Sequence, residues 1–527
     1  MVTTGLRDSW RKLFVVAAWV FYALSSLQAQ SSFTGRWSGS MNMGPNDSRE
    51  YTFFLNQQGQ LLSGAMLTGY RTQQISEGKV NGDEASWVTI SGSGERQRRT
   101  EYRAQMHGGE LQVTVTGMGS GANAAPRQLT VTKTSSDPTP VAPFANLPKI
   151  TPPAIHAVAD NGLARTPPMG WNSWNHFHRQ IDDKTVREIA DAMATNGMRD
   201  AGYVYVNIDD TWEGTRDEKG NIRSNDKFPD MKALADYVHS KGLKLGIYSS
   251  PGPRTCANFE GSYGHEQQDA KTWASWGIDY LKYDWCSASE MFKPEDMQAV
   301  YQIMGDALRT VGRQMVFSLC QYGEQHVEQW GAQVSGNLWR TTGDIGDNWK
   351  SMSGIGFDKQ IGLEKYAAPG HWNDPDMLEI GNGGMSDAEY STHMSLWAIL
   401  AAPLLAGNDL RSMSAETRDI LENRDVIAVD QDRAGHQGYR LSKDGDKEVW
   451  VKQLSGGDWA LGLFNRGEAA TTIATSLAAL KIQGIVSARD LWTHNDRGQI
   501  RDQLSAEVPA HGVALLRLTP AAQKSSH

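Results

Sequence analysis

Between about Gly162 and Asp432 the chain repeats one pattern eight times, a short apolar run that reads as a buried strand followed by an amphipathic stretch of helical period. The runs are "MGWNSW" (169–174), "YVYVNIDD" (203–210), "KLGIYSS" (244–250), "YLKYDW" (280–285), "MVFSLC" (315–320), "LWRTTGD" (338–344), "HWNDPDML" (371–378) and "ILAAPLLAG" (399–407). Val186, Ile189 and Met193 share one face of the first intervening helix. Met231, Leu234 and Val238 share one face of the second, which Gly242 ends. Strands that alternate with helices form a parallel sheet covered on both faces, and eight such units are the number that closes a (β/α)8 TIM barrel. The barrel is expected over residues 160–432.

A chain of 527 residues exceeds what one hydrophobic core holds, so further domains are expected. Residues 31–133 carry β-branched and aromatic segments, "YTFFL", "ASWVTI", "LQVTVT" and "RQLTVTK", punctuated by the turns "QQGQ", "VNGDE" and "HGGE". They predict a small all-β module, an antiparallel barrel or sandwich. Residues 134–154 are rich in Pro and Ser and read as a semi-rigid linker. Residues 436–519, with "EVWVKQL", "WALGLFN" and "GVALLRLT", predict a C-terminal antiparallel β-sandwich. The fold class is thus multidomain, a central TIM barrel flanked by two β domains.

The first 29 residues read as a signal peptide. Arg7, Arg11 and Lys12 precede the twelve apolar residues from Leu13 to Leu24, and small residues follow near Ala29. Twelve are too few to span a bilayer, so export to the periplasm or the medium is expected rather than a membrane span. Acidic residues outnumber basic ones, 60 against 51, and no basic run follows the leader, which argues against a nucleic-acid partner.

In a TIM barrel the chemistry gathers at the C-terminal ends of the strands. Those ends carry Trp171, Asp209 with Asp210, Tyr248, Lys282 with Asp284, Cys320 with Gln321, Arg340 with Asp344, and Asp374 with Asp376. An isolated Lys-x-Asp such as Lys282 and Asp284 is ordinarily a structural ion pair on one face of a strand. Six carboxylates and two cations at one mouth exceed that explanation. A metal site fits poorly, because Lys282 and Arg340 compete with a cation and His371 is the one histidine at a strand end. A phosphate site has only the weak candidate "GNGGM" at 381–385. A Schiff-base lysine is opposed by Asp284, which holds Lys282 cationic. Glycoside hydrolysis uses the whole set: two carboxylates flank the scissile bond, while the other polar and aromatic groups hold the sugar.

"ARTPPMGWNSWNHF" (164–177), "NIDDTW" (207–212), "LKLGIYSSPGPRTC" (243–256), "YLKYDWC" (280–286), "LWRTTGDI" (338–345) and "WNDPDML" (372–378) resemble the α-galactosidases, or melibiases, of glycoside hydrolase family 27. The resemblance covers about 161–519. It implies retaining hydrolysis of terminal α-D-galactosyl residues from oligosaccharides or polysaccharide side chains, with no cofactor and no metal. By position it implies Asp284 as nucleophile and Asp344 as acid/base. Trp171, Asp209, Asp210, Tyr248, Lys282, Gln321, Arg340 and Asp376 correspond to substrate-binding positions, and Lys282 is expected both to keep Asp284 ionised and to grip the sugar. Family members carry cysteines at the positions of Cys256 and Cys286, which implies a disulfide there.

One position departs from the pattern. At the end of the fifth strand the animal enzymes carry Cys-Glu-Trp, whereas this chain has Cys320-Gln321-Tyr322-Gly323. That position faces the sugar's 2-substituent in the family, so a β-L-arabinopyranosidase and an α-N-acetylgalactosaminidase stay open as alternatives. A lysine-dependent lyase and a non-catalytic sugar-binding protein are the distant ones. Gln321 and Tyr322 are both larger than residues that open such a pocket to an N-acetyl group, and Gln321 is expected to meet a 2-hydroxyl.

Overall fold

The computed structural model describes residues 32–44, 47–91, 98–117 and 125–521; the leader read at residues 1–29 lies outside them. The described residues form two compact units that divide between Leu147 and Pro148.

The first unit is a closed barrel of eight antiparallel strands running up and down in sequence order, from Gly35–Gly44 to Arg127–Ser135. The first strand pairs with both the second and the last, which decides barrel over sandwich. Eight strands leave an interior that side chains can fill. Here Trp87 stacks on Tyr102 with ring centroids 5.5 Å apart, and Phe53 meets Trp87 edge-on at 5.2 Å. Gly59 and Gly82, both at φ +61°, supply the left-handed turns that sequence punctuation marks.

In the second unit the eight parallel strands are Met169–Asn172, Tyr205–Asn207, Lys244–Ser249, Tyr280–Asp284, Val316–Cys320, Leu338–Arg340, Trp372–Asp374 and Leu404–Ala406. They lie side by side in chain order, with the eighth beside the first. A parallel bridge from Leu378 to Ala406 closes the ring: the Leu378 amide donates to Leu405 O at 2.8 Å, and the Gly407 amide to Leu378 O at 2.9 Å. The helices start where the sequence supplies caps. Asp182 accepts from the Thr185 amide at 2.8 Å ahead of Asp183–Thr195, and Asp230 from the Ala233 amide at 2.9 Å ahead of Met231–Ser240. Val186, Ile189, Met193, Met231, Leu234 and Val238 are all buried against the barrel wall.

The C-terminal part, Tyr439 to Pro520, is a six-stranded antiparallel sheet facing a two-stranded one. Buried Lys452 ties it to the barrel by donating to Ala398 O, Val429 O and Asp430 O. The last strand of the first unit runs to Ser135, and within the second unit the Tyr263 hydroxyl accepts from the Ile150 amide and donates to Pro148 O. Among the described residues no helix is long and apolar enough to cross a membrane.

Candidate active site

Parallel register sets the site in layers. Tyr248 lies beside Lys282 and Lys282 beside Ser318; one layer nearer the mouth Asp284 lies beside Cys320, and Arg340 beside Asp374. Tyr280, two residues below Lys282 on the same face, joins Tyr205, Val316, Leu338 and Trp372 in an apolar plug. The plug closes the barrel from below and leaves the polar groups at its open C-terminal end.

Asp284 is 5% exposed, and each of its oxygens accepts from a phenol. The Tyr248 hydroxyl donates to Oδ2 at 3.0 Å and the Tyr322 hydroxyl to Oδ1 at 2.6 Å. Burial pushes the Asp284 carboxyl up to about 6, against the opposing pull of the Lys282 charge and the Tyr322 hydrogen bond. It is therefore mostly ionised at neutral pH, the form a nucleophile needs.

Lys282 donates to Asp209 Oδ2 at 2.7 Å, not to Asp284. The ammonium thus favours ionised Asp284 through its field and spends its contact on Asp209. Burial disfavours the charge on Lys282, but Asp209 first, then Cys320, Asp284 and Asp376, outweigh it, and the lysine is held above its ordinary range. A Schiff-base lysine needs the opposite shift. Asp209 Oδ2 also accepts from Asn172 at 2.8 Å, while its Oδ1 takes the Asp210 amide. Asp210 Oδ2 accepts from the Ala257 amide at 2.7 Å, and the Thr255 side chain also stabilises the buried carboxylate by a hydrogen bond. Burial raises Asp210 to about 7.

Arg340, 3% exposed, reaches Asp376 Oδ2 at 2.8 Å and Asp344 Oδ1 at 3.1 Å. Asp376 also accepts the Ile345 amide and so anchors the loop that carries Asp344. The Asp344 side chain is 72% exposed. The two candidate reacting carboxylates thus occupy unlike surroundings, one dry and clamped, the other open to water. Three non-glycine residues here hold positive φ: Thr211 at +90°, Tyr322 at +63° and Asp376 at +92°. Such conformations cost of order 1–3 kcal/mol each and persist where surrounding contacts enforce them.

Cys256 and Cys286 form a disulfide, and Cys320 is a buried free thiol. The two sulfurs and an Asp284 oxygen lie within 4.8 Å of one another, but both sulfurs are spent on each other, which leaves a single carboxylate as metal ligand.

Two expected ligand residues do not face the pocket. Gln321 is fully buried and its amide donates to Arg340 O at 3.0 Å, because the positive φ of Tyr322 turns the chain so that the tyrosine ring, not the glutamine, looks inward. Trp171 is likewise fully buried, its indole donating to Asn408 O at 2.8 Å and its ring set edge-on to Phe177; it supports the wall from behind. Sequence reasoning missed Asn172 and read Tyr322 only for its bulk. Asn172 stands in the "MGWNSW" run, yet nothing local indicates that Asp209 is its partner.

Residues 166–432 match the family model described as alpha galactosidase A, and residues 444–518 match the alpha galactosidase C-terminal beta sandwich domain. An alpha-galactosidase of Coffea arabica is 51% identical over 366 residues, covering 68% of this chain and 95% of its own. Alpha-galactosidase A of Cellvibrio japonicus is 47% identical over 382 residues, covering 68% and 93%. The crystal structure of alpha-galactosidase I from Mortierella vinacea superposes with a TM-score of 0.67 at 37% identity, covering 70% of this chain and all of that one. Neither family match reaches the N-terminal barrel.

Proposed function

Because this chain belongs to the melibiase family, the α-galactosidases of glycoside hydrolase family 27, we propose that it hydrolyses terminal α-D-galactosides with Asp284 as nucleophile and Asp344 as acid/base. The observation that carries the assignment of roles is the contrast between the two carboxylates. Asp284 is buried and held by two phenols, and Asp344 is open to solvent on the Arg340 guanidinium. A sugar seated above Lys282 meets the nucleophile from inside the barrel, and its aglycone points out past Asp344. In the first step an Asp284 oxygen bonds to the anomeric carbon, the bond to the aglycone oxygen breaks, and Asp344 gives that oxygen its proton. In the second, water bonds to the same carbon, its proton passes to Asp344, and the electron pair of the breaking bond returns to Asp284. Charges on Asp284 and Asp344 repel, and forming the neutral ester removes that repulsion. The change favours Asp344 as acid in the first step and base in the second.

Domain roles follow the same reading. We assign residues 160–432 to catalysis and 436–519 to a supporting sandwich, with 31–133 as a separate module beyond the linker. The two family matches, which begin at 166 and 444, support this division.

Specificity rests on Asp210 and Tyr322. The adjacent buried carboxylates of Asp209 and Asp210 suit the 4- and 6-hydroxyls of galactose, and the bulk of Tyr322 beside Asp284 opposes a large 2-substituent. A site built to hydrogen-bond a hydroxyl rejects analogues that leave its groups unpaired, often by ~10⁴ or more. On four aryl glycosides kcat/KM is expected to fall in the order α-galactoside, then β-L-arabinopyranoside, with α-N-acetylgalactosaminide and α-glucoside essentially untouched. Preference for the N-acetylated sugar would defeat the steric argument, and preference for the arabinopyranoside would remove the 6-hydroxymethyl contact from it.

A further inference from the structure

We propose that the Tyr322 hydroxyl is a catalytic group in its own right, a second donor on the nucleophile that works chiefly when the glycosyl-enzyme ester breaks. The inference rests on the role of Asp284 proposed above and goes beyond it, since the need for a buried carboxylate does not by itself require two phenols. The contact at 2.6 Å is in the range of charge-assisted O–H···O⁻ bonds, shorter than the 3.0 Å of Tyr248 on the other oxygen.

The backbone is built to deliver this hydroxyl. Tyr322 sits at φ +63° and Gly323 follows at φ +78°, where a Cβ would lie 2.3 Å from Thr341 O, so the turn accepts no side chain at Gly323. The Gln321 amide is pinned to Arg340 O on one side, and the Arg340 guanidinium lies 5.9 Å from the Tyr322 ring on the other. The disulfide completes the setting: Cys286 Sγ is 3.1 Å from the Tyr248 hydroxyl and Cys256 Sγ is 3.6 Å from that of Tyr322. Carboxylate, two phenols and two sulfurs form one closed circuit of contacts.

The chemistry follows from where the charge goes. In the free enzyme Tyr322 stabilises ionised Asp284 and offsets part of the rise that burial causes. On ester formation that charge vanishes and the donor loses most of its hold. As water displaces the ester the charge returns to the carboxylate, and a donor already in place lowers that barrier. Removing the donor leaves the carboxylate more basic, so the first step is nearly spared while the second slows.

Tyr322→Phe tests this, with Tyr322→Leu as a second variant should the first misfold. An activated aryl α-galactoside serves as substrate, since breakdown of the ester then limits turnover. Loss of a hydrogen bond to a charged group predicts a kcat about tenfold or more lower, with KM falling in step, and an acid limb of kcat/KM moved up by about one pH unit. The direction is set by sign: Asp284 must be ionised, and without its donor it holds its proton to higher pH. A burst of released phenol should accompany the lower kcat. A merely structural role would lower kcat/KM at every pH without moving the limb, and that result, or no change at all, would overturn the proposal. Wild-type protein inactive on the aryl α-galactoside would overturn the underlying reading as well.

Discussion

Asp284→Ala is expected to lower kcat/KM on every α-galactoside by on the order of 10⁴-fold or more, because no covalent intermediate forms without the attacking oxygen. The loss will not come from unfolding. Burial raises the Asp284 carboxyl from 3.8 to about 6, so its ionised form opposes folding at neutral pH. For an acid whose folded pKa is raised, the folded state binds more protons between those two values. Stability therefore declines as pH rises through that window, by about 3 kcal/mol in total. Alanine removes that term and leaves two phenols, Tyr248 and Tyr322, short of an acceptor. Circular dichroism and thermal melting are expected to show a folded variant. A small external anion such as azide, able to enter the vacated space, should restore part of the turnover and release a β-galactosyl azide, since attack then comes from the nucleophile's side of the ring. Residual activity within tenfold of wild type would remove Asp284 from its role.

Asp344→Ala is expected to divide substrates by leaving group. General acid catalysis contributes about 10²- to 10⁴-fold, and an unactivated galactoside should lose that much in kcat/KM. An aryl galactoside with a good leaving phenol needs little proton donation, so its kcat/KM should change by less than about tenfold. Its kcat should nevertheless collapse, because Asp344 is also the base that activates water, and the ester should accumulate. The position of Asp344 agrees with both duties: it is exposed to incoming water, and its Oδ1 is held by Arg340 while Asp376 anchors the loop below. Equal losses on both substrates would assign the proton transfers elsewhere.

Much of this was legible in the chain, and the reasons are local. All but the last barrel strand are short apolar runs with a polar, charged or aromatic residue at the end, so strand number, order and mouth could be read from the alternation of runs and helices. Asp209, Asp210, Asp284, Arg340 and Asp376 were found in that way, and the structure brings them together. What escaped depended on tertiary geometry. Lys282 and Asp284 share a strand face, yet the ammonium bonds Asp209, 73 residues away and two strands over. Tyr322 was hidden by its backbone, since a tyrosine gives no sign of positive φ, and only the glycine after it hinted at a tight turn. Trp171 has the composition of a stacking platform but sits behind the wall. In the N-terminal unit the strand Arg71–Asn81, "RTQQISEGKVN", presents a polar and largely exposed surface with no apolar alternation, so eight strands and a closed ring could not be counted from sequence.

The proposed mechanism is a double displacement at one carbon, with Asp284 attacking from one face and water arriving afterwards from the opposite face, the one the aglycone left. Proton NMR of the sugar released in the first minutes, before mutarotation mixes the anomers, tests it most directly. The α-anomer of galactose is expected to appear first and the β-anomer to grow in later; β-galactose as the initial product would rule out double displacement.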